Sequence, residues 1–149
     1  MRSTKHKVIL NEILSDLTSV IRQKGYEFIP DKMIGKLQTY LLNNPNDTSK
    51  KRYFLIIHVS TIDPSFWGIS VEWQEKFREI ASVLDNSDWA VILLKSSRVG
   101  YLIPSEDFTK MIHSFSVGGK YATIIVKEQD LSLRFQFYNW DTFFQILNL

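Results

Sequence analysis

The runs RYFLIIHVS at 52–60 and WAVILLKSS at 89–97 constrain the fold more than any other feature of this chain. A strand with one wet face alternates apolar and polar residues, whereas one that is apolar at successive positions must be covered above and below. These runs therefore predict central strands of a sheet with other elements packed against it. With 44% hydrophobic and 23% charged residues, the composition of this 149-residue chain has neither the apolar poverty nor the charge excess of a disordered protein. That length suits one domain, 1–149, with a core that holds without disulfide or metal staples.

Around the central strands the periodicity changes. Val8, Ile9, Ile13, Leu14, Leu17, Val20 and Ile21 recur at helical spacing, and Gly25 stands where a C-cap glycine belongs, which predicts a helix over 7–24. Met33, Ile34, Leu37, Tyr40 and Leu41 follow Pro30 and a candidate N-cap, Asp31, and predict a second, shorter helix. NNPNDTSKK at 43–51 reads as a polar loop, the expected place for disorder or nicking. In SVEWQEKFREIASVL, Trp73, Phe77, Ile80, Ala81 and Leu84 form an inward stripe behind Ser70 as N-cap.

The segment VGYLIP is expected to pair with WAVILL as an antiparallel hairpin through Ser97 and Arg98. SEDFTKMIHSF predicts a helix capped by Ser105, with Glu106 and Asp107 opposing its dipole and Gly118 and Gly119 ending it. YATIIV, the turn KEQD and LSLRFQF predict another hairpin, in which Leu131, Leu133, Phe135 and Phe137 alternate with polar residues. Asn139 caps a closing helix in NWDTFFQILNL. The sum is an α+β fold, a mixed and largely antiparallel sheet of about five strands flanked by helices.

Several chemistries are missing from the sequence. Without cysteine there is no thiolate nucleophile, disulfide or Cys-ligated metal, and nothing points to an oxidising compartment, so a cytoplasmic location is expected. The N-terminal stretch is too interrupted by polar residues for a secretory signal, and no apolar run approaches the ~20 residues of a membrane span. Neither glycine-rich phosphate loop nor a G-x-S-x-G elbow can be written from this sequence. The histidines, His6, His58 and His113, lack the i, i+4 spacing of a helical metal pair. His58 interrupts an apolar strand, as a core histidine or as a general base would. Glu72, Glu75 and Glu79 share a helical face, which serves equally as a solvated stripe or a divalent-ion site.

PSFWGIS packs Phe66 and Trp67 beside Gly68 in a stretch that reads as a loop running into a helix. Burial over the sheet edge is the first reading for these rings; a subunit interface and a stacking platform for a planar ligand are the others. Lys50, Lys51 and Arg52, with Lys95 and Arg98, are solvated ends and turns, or the phosphate contacts of a nucleic-acid binder. The formal charge of +2 permits an acidic partner without requiring one.

The succession of an N-terminal helix, RYFLIIHVS, FWGIS, a helix, WAVILLKSS and VGYLIPSEDF resembles the core of restriction-endonuclease-like, PD-(D/E)XK domains in element order over residues 8–110. That resemblance implies a Mg²⁺ site made of an acid at one strand start and an acid-x-Lys triplet on the next. Asp88 matches the first acid and Lys95 ends the strand it opens, with Glu72 a further participant, but VGYLIP holds no carboxylate. The expected function is accordingly a non-enzymatic binding domain, without cofactor, acting on a protein partner or its own copy within a DNA-processing or mobile-element system. The alternatives are a Mg²⁺-dependent nuclease using Asp88, Lys95 and Glu72, and a small-ligand binder using Trp67 and His58. The residues expected to carry binding are Phe66, Trp67, His58, Lys51, Arg52 and Arg98.

Overall fold

The computed structural model describes residues 4–34, 37–61, 65–70, 76, 78–79, 82, 86–96, 99–113 and 123–147. The expected amphipathic helix is α1 (Thr4–Gln23), and Ile13, Leu17 and Ile21 form its fully buried stripe. Gly25 ends it at φ +84°, where its N–H donates to the Arg22 carbonyl and that of Tyr26 to the Ile21 carbonyl, both at 3.0 Å. This is a Schellman motif, which needs the left-handed residue that glycine supplies without a Cβ penalty.

The second predicted helix is not formed. Its residues make an antiparallel hairpin of β1 (Glu27–Ile34) and β2 (Leu37–Asn43), with Ile34 paired to Leu37. The same sequence satisfies a period of two: Phe28, Tyr40 and Leu42 are all buried in the core that α1 joins, and the rings of Phe28 and Tyr40 stack with centroids 5.1 Å apart. Pro30, read as a helix-start signal, sits instead in a strand whose only described strand neighbour is β2; an edge position tolerates its missing N–H. The register shifts between Pro30 and Met33. Side chains of β2 take up carbonyls at that bulge, Gln38 donating to Asp31 O at 2.6 Å and the Thr39 hydroxyl donating to Lys32 O.

The polar loop at 43–51 connects β2 to β3 (Arg52–Val59) and is shaped by local bonds, among them Ser49 N–H to Asp47 Oδ1 at 3.1 Å. After β3 come β4 (Phe66–Ser70), β5 (Ser87–Leu94) and β6 (Gly100–Pro104). The FWGIS stretch is therefore a strand and not the expected loop. In the predicted helix that follows, Lys76, Arg78, Glu79 and Ser82 are helical, while the stripe of Trp73, Phe77, Ile80, Ala81 and Leu84 lies outside the described residues, as do Glu72 and Glu75. The β5–β6 hairpin forms as expected, with Ile92 opposite Leu102. Helix α2 (Ser105–His113) follows, with Glu106 and Asp107 in its first turn; Gly118 and Gly119 fall outside the described residues.

The second predicted hairpin is also not formed. β7 (Thr123–Lys127) pairs with β4, and β8 (Gln136–Phe137) pairs with β6. Short 3-10 turns at Glu128–Asp130 and Leu133–Phe135 break the ladder between them. The Ser132 hydroxyl accepts the Arg134 N–H at 3.4 Å, a local bond of the kind that competes with strand pairing. Leu133 is accordingly 74% exposed, while Leu131 and Phe137 are buried in different cores. Helix α3 (Trp140–Ile146) closes the chain behind Asn139, whose side-chain oxygen accepts the Thr142 N–H at 2.8 Å, as expected.

The fold is α+β. Its main sheet has six strands, in the order β1-β2-β3-β5-β6-β8, rather than about five, and a separate ribbon pairs β4 with β7. Neighbours in the main sheet are antiparallel except β3 and β5, which run parallel. One face buries Leu55, Ile57, Ile92 and Leu102 beneath α1 and α3. The other buries Phe54, Ile56, Val91 and Ile103 with Phe108 of α2 and with Trp67, Ile69 and Val126 of the ribbon. Both apolar runs are thus covered on both faces, as their composition requires.

Candidate functional site

Parallel pairing of β3 with β5 divides the sequence-predicted site residues between the ends of the sheet. Arg52 is opposite Ser87 and Tyr53 opposite Asp88 at the amino ends, while His58 is opposite Leu93 at the carboxyl ends. Seven steps of about 3.3 Å put roughly 23 Å between the Asp88 and Lys95 backbones. Asp88 and Lys95, two of the residues matched to a nuclease centre, are therefore not brought together, and Glu72 lies outside the described residues. Neither strand bonded to β5 carries a carboxylate, β3 being RYFLIIHV and β6 GYLIP. Among the described residues no group of three or more His, Asp or Glu side chains is placed to hold a metal ion.

At the amino ends, Asp88 Oδ1 accepts its neighbour's N–H from Trp89 at 2.8 Å and the Ser105 hydroxyl at 2.5 Å. Strand β5 is thus tied to the start of α2. Asp88 Oδ2 lies 3.9 Å from Lys51 Nζ, an exposed pair worth about 0–1 kcal/mol. Beside it, burial and then the Asp88 charge push the Tyr53 phenol above its ordinary pKa, and its hydroxyl donates to Leu147 O at 3.3 Å. Arg52 begins β3 half-buried.

The carboxyl ends hold the more constrained arrangement. Glu128 Oε2 accepts from Lys95 Nζ at 2.9 Å and from the Tyr101 hydroxyl at 2.9 Å. The residues come from the end of β5, from β6 and from the turn after β7, so the cluster fastens the main sheet to the ribbon. Burial alone would raise the Glu128 pKa, but the Lys95 and Tyr101 hydrogen bonds outweigh it and hold the carboxyl below its ordinary value. Burial, together with the Glu128 contact, pushes Tyr101 up to about 12. The charged carboxylate and neutral phenol stabilise each other. Near neutrality Glu128 is ionised and Tyr101 protonated, so the cluster is a closed clasp rather than a proton-transfer pair.

Trp67 sits beside this clasp. It is 2% exposed, its ring meets Tyr101 edge-on with centroids 6.2 Å apart, and its indole N–H donates to Leu94 O at 3.2 Å. Leu94 O also accepts the Ser60 N–H at 2.9 Å, so β4 closes over the carboxyl ends of the parallel pair. The Trp67 ring is a core element here, with no open face on which a planar ligand could stack. Phe66 pairs through its backbone with Lys127, and His58 is half-buried within β3. Arg98 and the Phe66 ring lie outside the described residues.

Sequence reading missed Glu128 and Tyr101. KEQD carries the marks of a turn, and a tyrosine within GYLIP those of a strand; the separation of Glu128 from Lys95 along the chain gives no signal of their contact. No protein-family model matches the chain, and comparison with curated proteins and with solved structures returned no match. No helix among the described residues is long and apolar enough to cross a membrane.

Proposed function

We propose that this chain is a recognition module that acts by binding an extended segment of polypeptide, from a protein partner or from its own copy, along the β4–β7 ribbon. The observation that carries the reading is Ile125, which is 46% exposed in the middle of β7 while its neighbour Val126 is fully buried. One side of the ribbon is core and the other presents an aliphatic residue opposite Gly68, which has no side chain of its own to cover it. Two-stranded ribbons are marginal alone in water, and an added strand supplies both backbone bonds and apolar cover.

The chemistry elsewhere supports recognition over catalysis. Asp88 is committed to Trp89 and Ser105, Lys95 to Glu128, and Trp67 to Leu94. The nuclease alternative would need acids that converge, and the carboxylate-free strands beside β5 disfavour it.

Light scattering over a concentration series tests the reading directly, together with hydrogen exchange of the β7 amides. Self-association, with concentration-dependent protection of β7 that Ile125→Lys abolishes, supports the ribbon as the contact. A monomer at all concentrations, combined with Mg²⁺-dependent DNA cleavage lost in Asp88→Ala, replaces it with the nuclease reading.

A further inference from the structure

The register of the β4–β7 ribbon decides which of its peptide groups are engaged and which face outward. Glu128 N–H donates to Ser65 O at 3.1 Å, so Ser65 and Glu128 are a hydrogen-bonded pair of the antiparallel ladder. Such pairs alternate with non-hydrogen-bonded ones, whose N–H and C=O groups point away from the partner strand. Trp67 and Val126 are then a hydrogen-bonded pair, whereas Phe66 with Lys127 and Gly68 with Ile125 are not. The N–H and C=O groups of Ile125 and Lys127 therefore face the outer edge of β7, beside which no described strand lies. Their side chains stand two residues apart on one face of the ribbon, and both are exposed. Lys127 makes no ion pair among the described residues. The adjoining carboxylate of Glu128 is held by Lys95 and Tyr101, and Asp130 lies in the 3-10 turn beyond the ladder.

Building on the ribbon reading, we infer that the occupant of this edge is an acidic strand of another protein. It adds antiparallel to β7, with Asp or Glu opposite Lys127 and an apolar residue the size of leucine opposite Ile125. Antiparallel addition sets one residue directly across from each position and is somewhat stronger per residue than parallel addition. Because the two strands run in opposite directions, the residue facing Lys127 comes first in the partner, which gives the order acid-x-apolar. Opposite charges and apolar pairs across strands stabilise each other, while like charges do the reverse. Gly68, on the far side of Ile125, contributes no side chain to compete for the apolar contact. Strand β7 itself, TIIVK, holds no carboxylate, so β7 of a second copy offers Lys127 no counter-charge in any register.

Fluorescence anisotropy with the intact chain and the dye-labelled, capped peptide Ser-Thr-Glu-Thr-Leu-Thr-Ser tests the inference, together with hydrogen exchange of the β7 amides. Saturable binding is expected, with protection of the Ile125 and Lys127 amides. Replacing the peptide's glutamate by lysine should weaken binding about fivefold, and Lys127→Glu in the protein should invert that preference. An unchanged thermal midpoint verifies that the exposed substitution leaves the fold intact. The reversed order, Ser-Thr-Leu-Thr-Glu-Thr-Ser, should also bind more weakly. Equal binding of the acidic and basic peptides, both abolished by Ile125→Lys, overturns the acidic partner and leaves the ribbon reading standing. So does tighter binding of the reversed peptide. Self-association through β7 that excess acidic peptide fails to displace assigns the edge to a second copy and likewise overturns the inference. If the chain stays monomeric and no peptide protects β7 up to about 1 mM, the ribbon reading falls with it.

Discussion

Strands β5 and β7 are made of similar residues, WAVILL and TIIV, and meet different fates. β5 has β3 on one side and β6 on the other, and every residue from Trp89 to Leu94 is buried. β7 has β4 as its described neighbour, buries Val126 and leaves Ile125 half in water. Edge strand β1 offers a further contrast, since it carries Pro30, a bulge and the charged residues Glu27, Asp31 and Lys32, the devices that discourage strand addition. β7 has no charged residue before Lys127 and no proline. An aliphatic run thus states an appetite for cover, and the surrounding fold decides whether the chain itself supplies that cover or a partner must.

The comparison breaks most readily at its buried end. Ile92→Ala removes a side chain with no exposure, packed beneath α1 and α3, and should destabilise the protein by about 2–5 kcal/mol in urea unfolding. A loss below about 1 kcal/mol would mean that the core tolerates or refills such a cavity, and that β5 is no better supported than β7.

Gly100 probes the same strand from its partner. A Cβ there would lie 2.5 Å from Leu93 O, a backbone atom that cannot swing aside. Gly100→Ala should therefore cost about 1–3 kcal/mol. Gly25→Ala meets nothing within 4 Å, and its penalty of about 1–2 kcal/mol comes from φ +84° alone. Denaturation midpoints of the pair compare close packing with backbone strain.

The clasp that joins the sheet to the ribbon gives a smaller, pH-dependent effect. Because the folded pKa of Glu128 is depressed, its contribution is present above the unfolded value and is lost as pH falls through the folded one. Glu128→Gln should cost about 1–2 kcal/mol at neutral pH, as loss of hydrogen bonds to a charged group does when partly solvated. The difference from the unsubstituted protein should shrink as the pH drops below the ordinary glutamate value near 4.5. Alkaline absorbance titration supplies a second readout. Tyr101 should ionise near pH 12, and in the variant somewhat lower, since burial persists after the Glu128 contact is gone.

Legibility in the sequence followed the same division. α1, β3, β5, β6 and α3 were readable because each carries an unambiguous period or continuous run together with a cap or turn signal, such as Gly25 or Asn139. The β1–β2 hairpin was not, because Met33, Ile34, Leu37 and Leu41 fit a helical stripe as well as a strand, and only cover from α1 and pairing with β3 select the strand. The partner exchange of β7 from β8 to β4 was equally hidden, since alternation over Leu131 to Phe137 says nothing about which edge is adjacent. Of the candidate site, the individual residues Asp88, Lys95 and Trp67 stood out in the sequence. Their separation to opposite ends of a parallel pair, and the contacts of Lys95 with Glu128 and of Trp67 with Leu94, depend on tertiary neighbours.

The smallest expected change in stability is also the sharpest test of the contrast between β5 and β7. Ile125 is half exposed, so replacing it by lysine removes little buried surface and should shift the unfolding free energy by no more than about 0.5 kcal/mol. A charge on the open side of β7 would nevertheless oppose an incoming strand, which is how natural edge strands are protected. Ile125→Lys should therefore leave urea unfolding almost unchanged while abolishing self-association or capture of an extended peptide. A loss of several kcal/mol instead would place Ile125 within the core, and the strand would then resemble β5, with its cover supplied by its own chain.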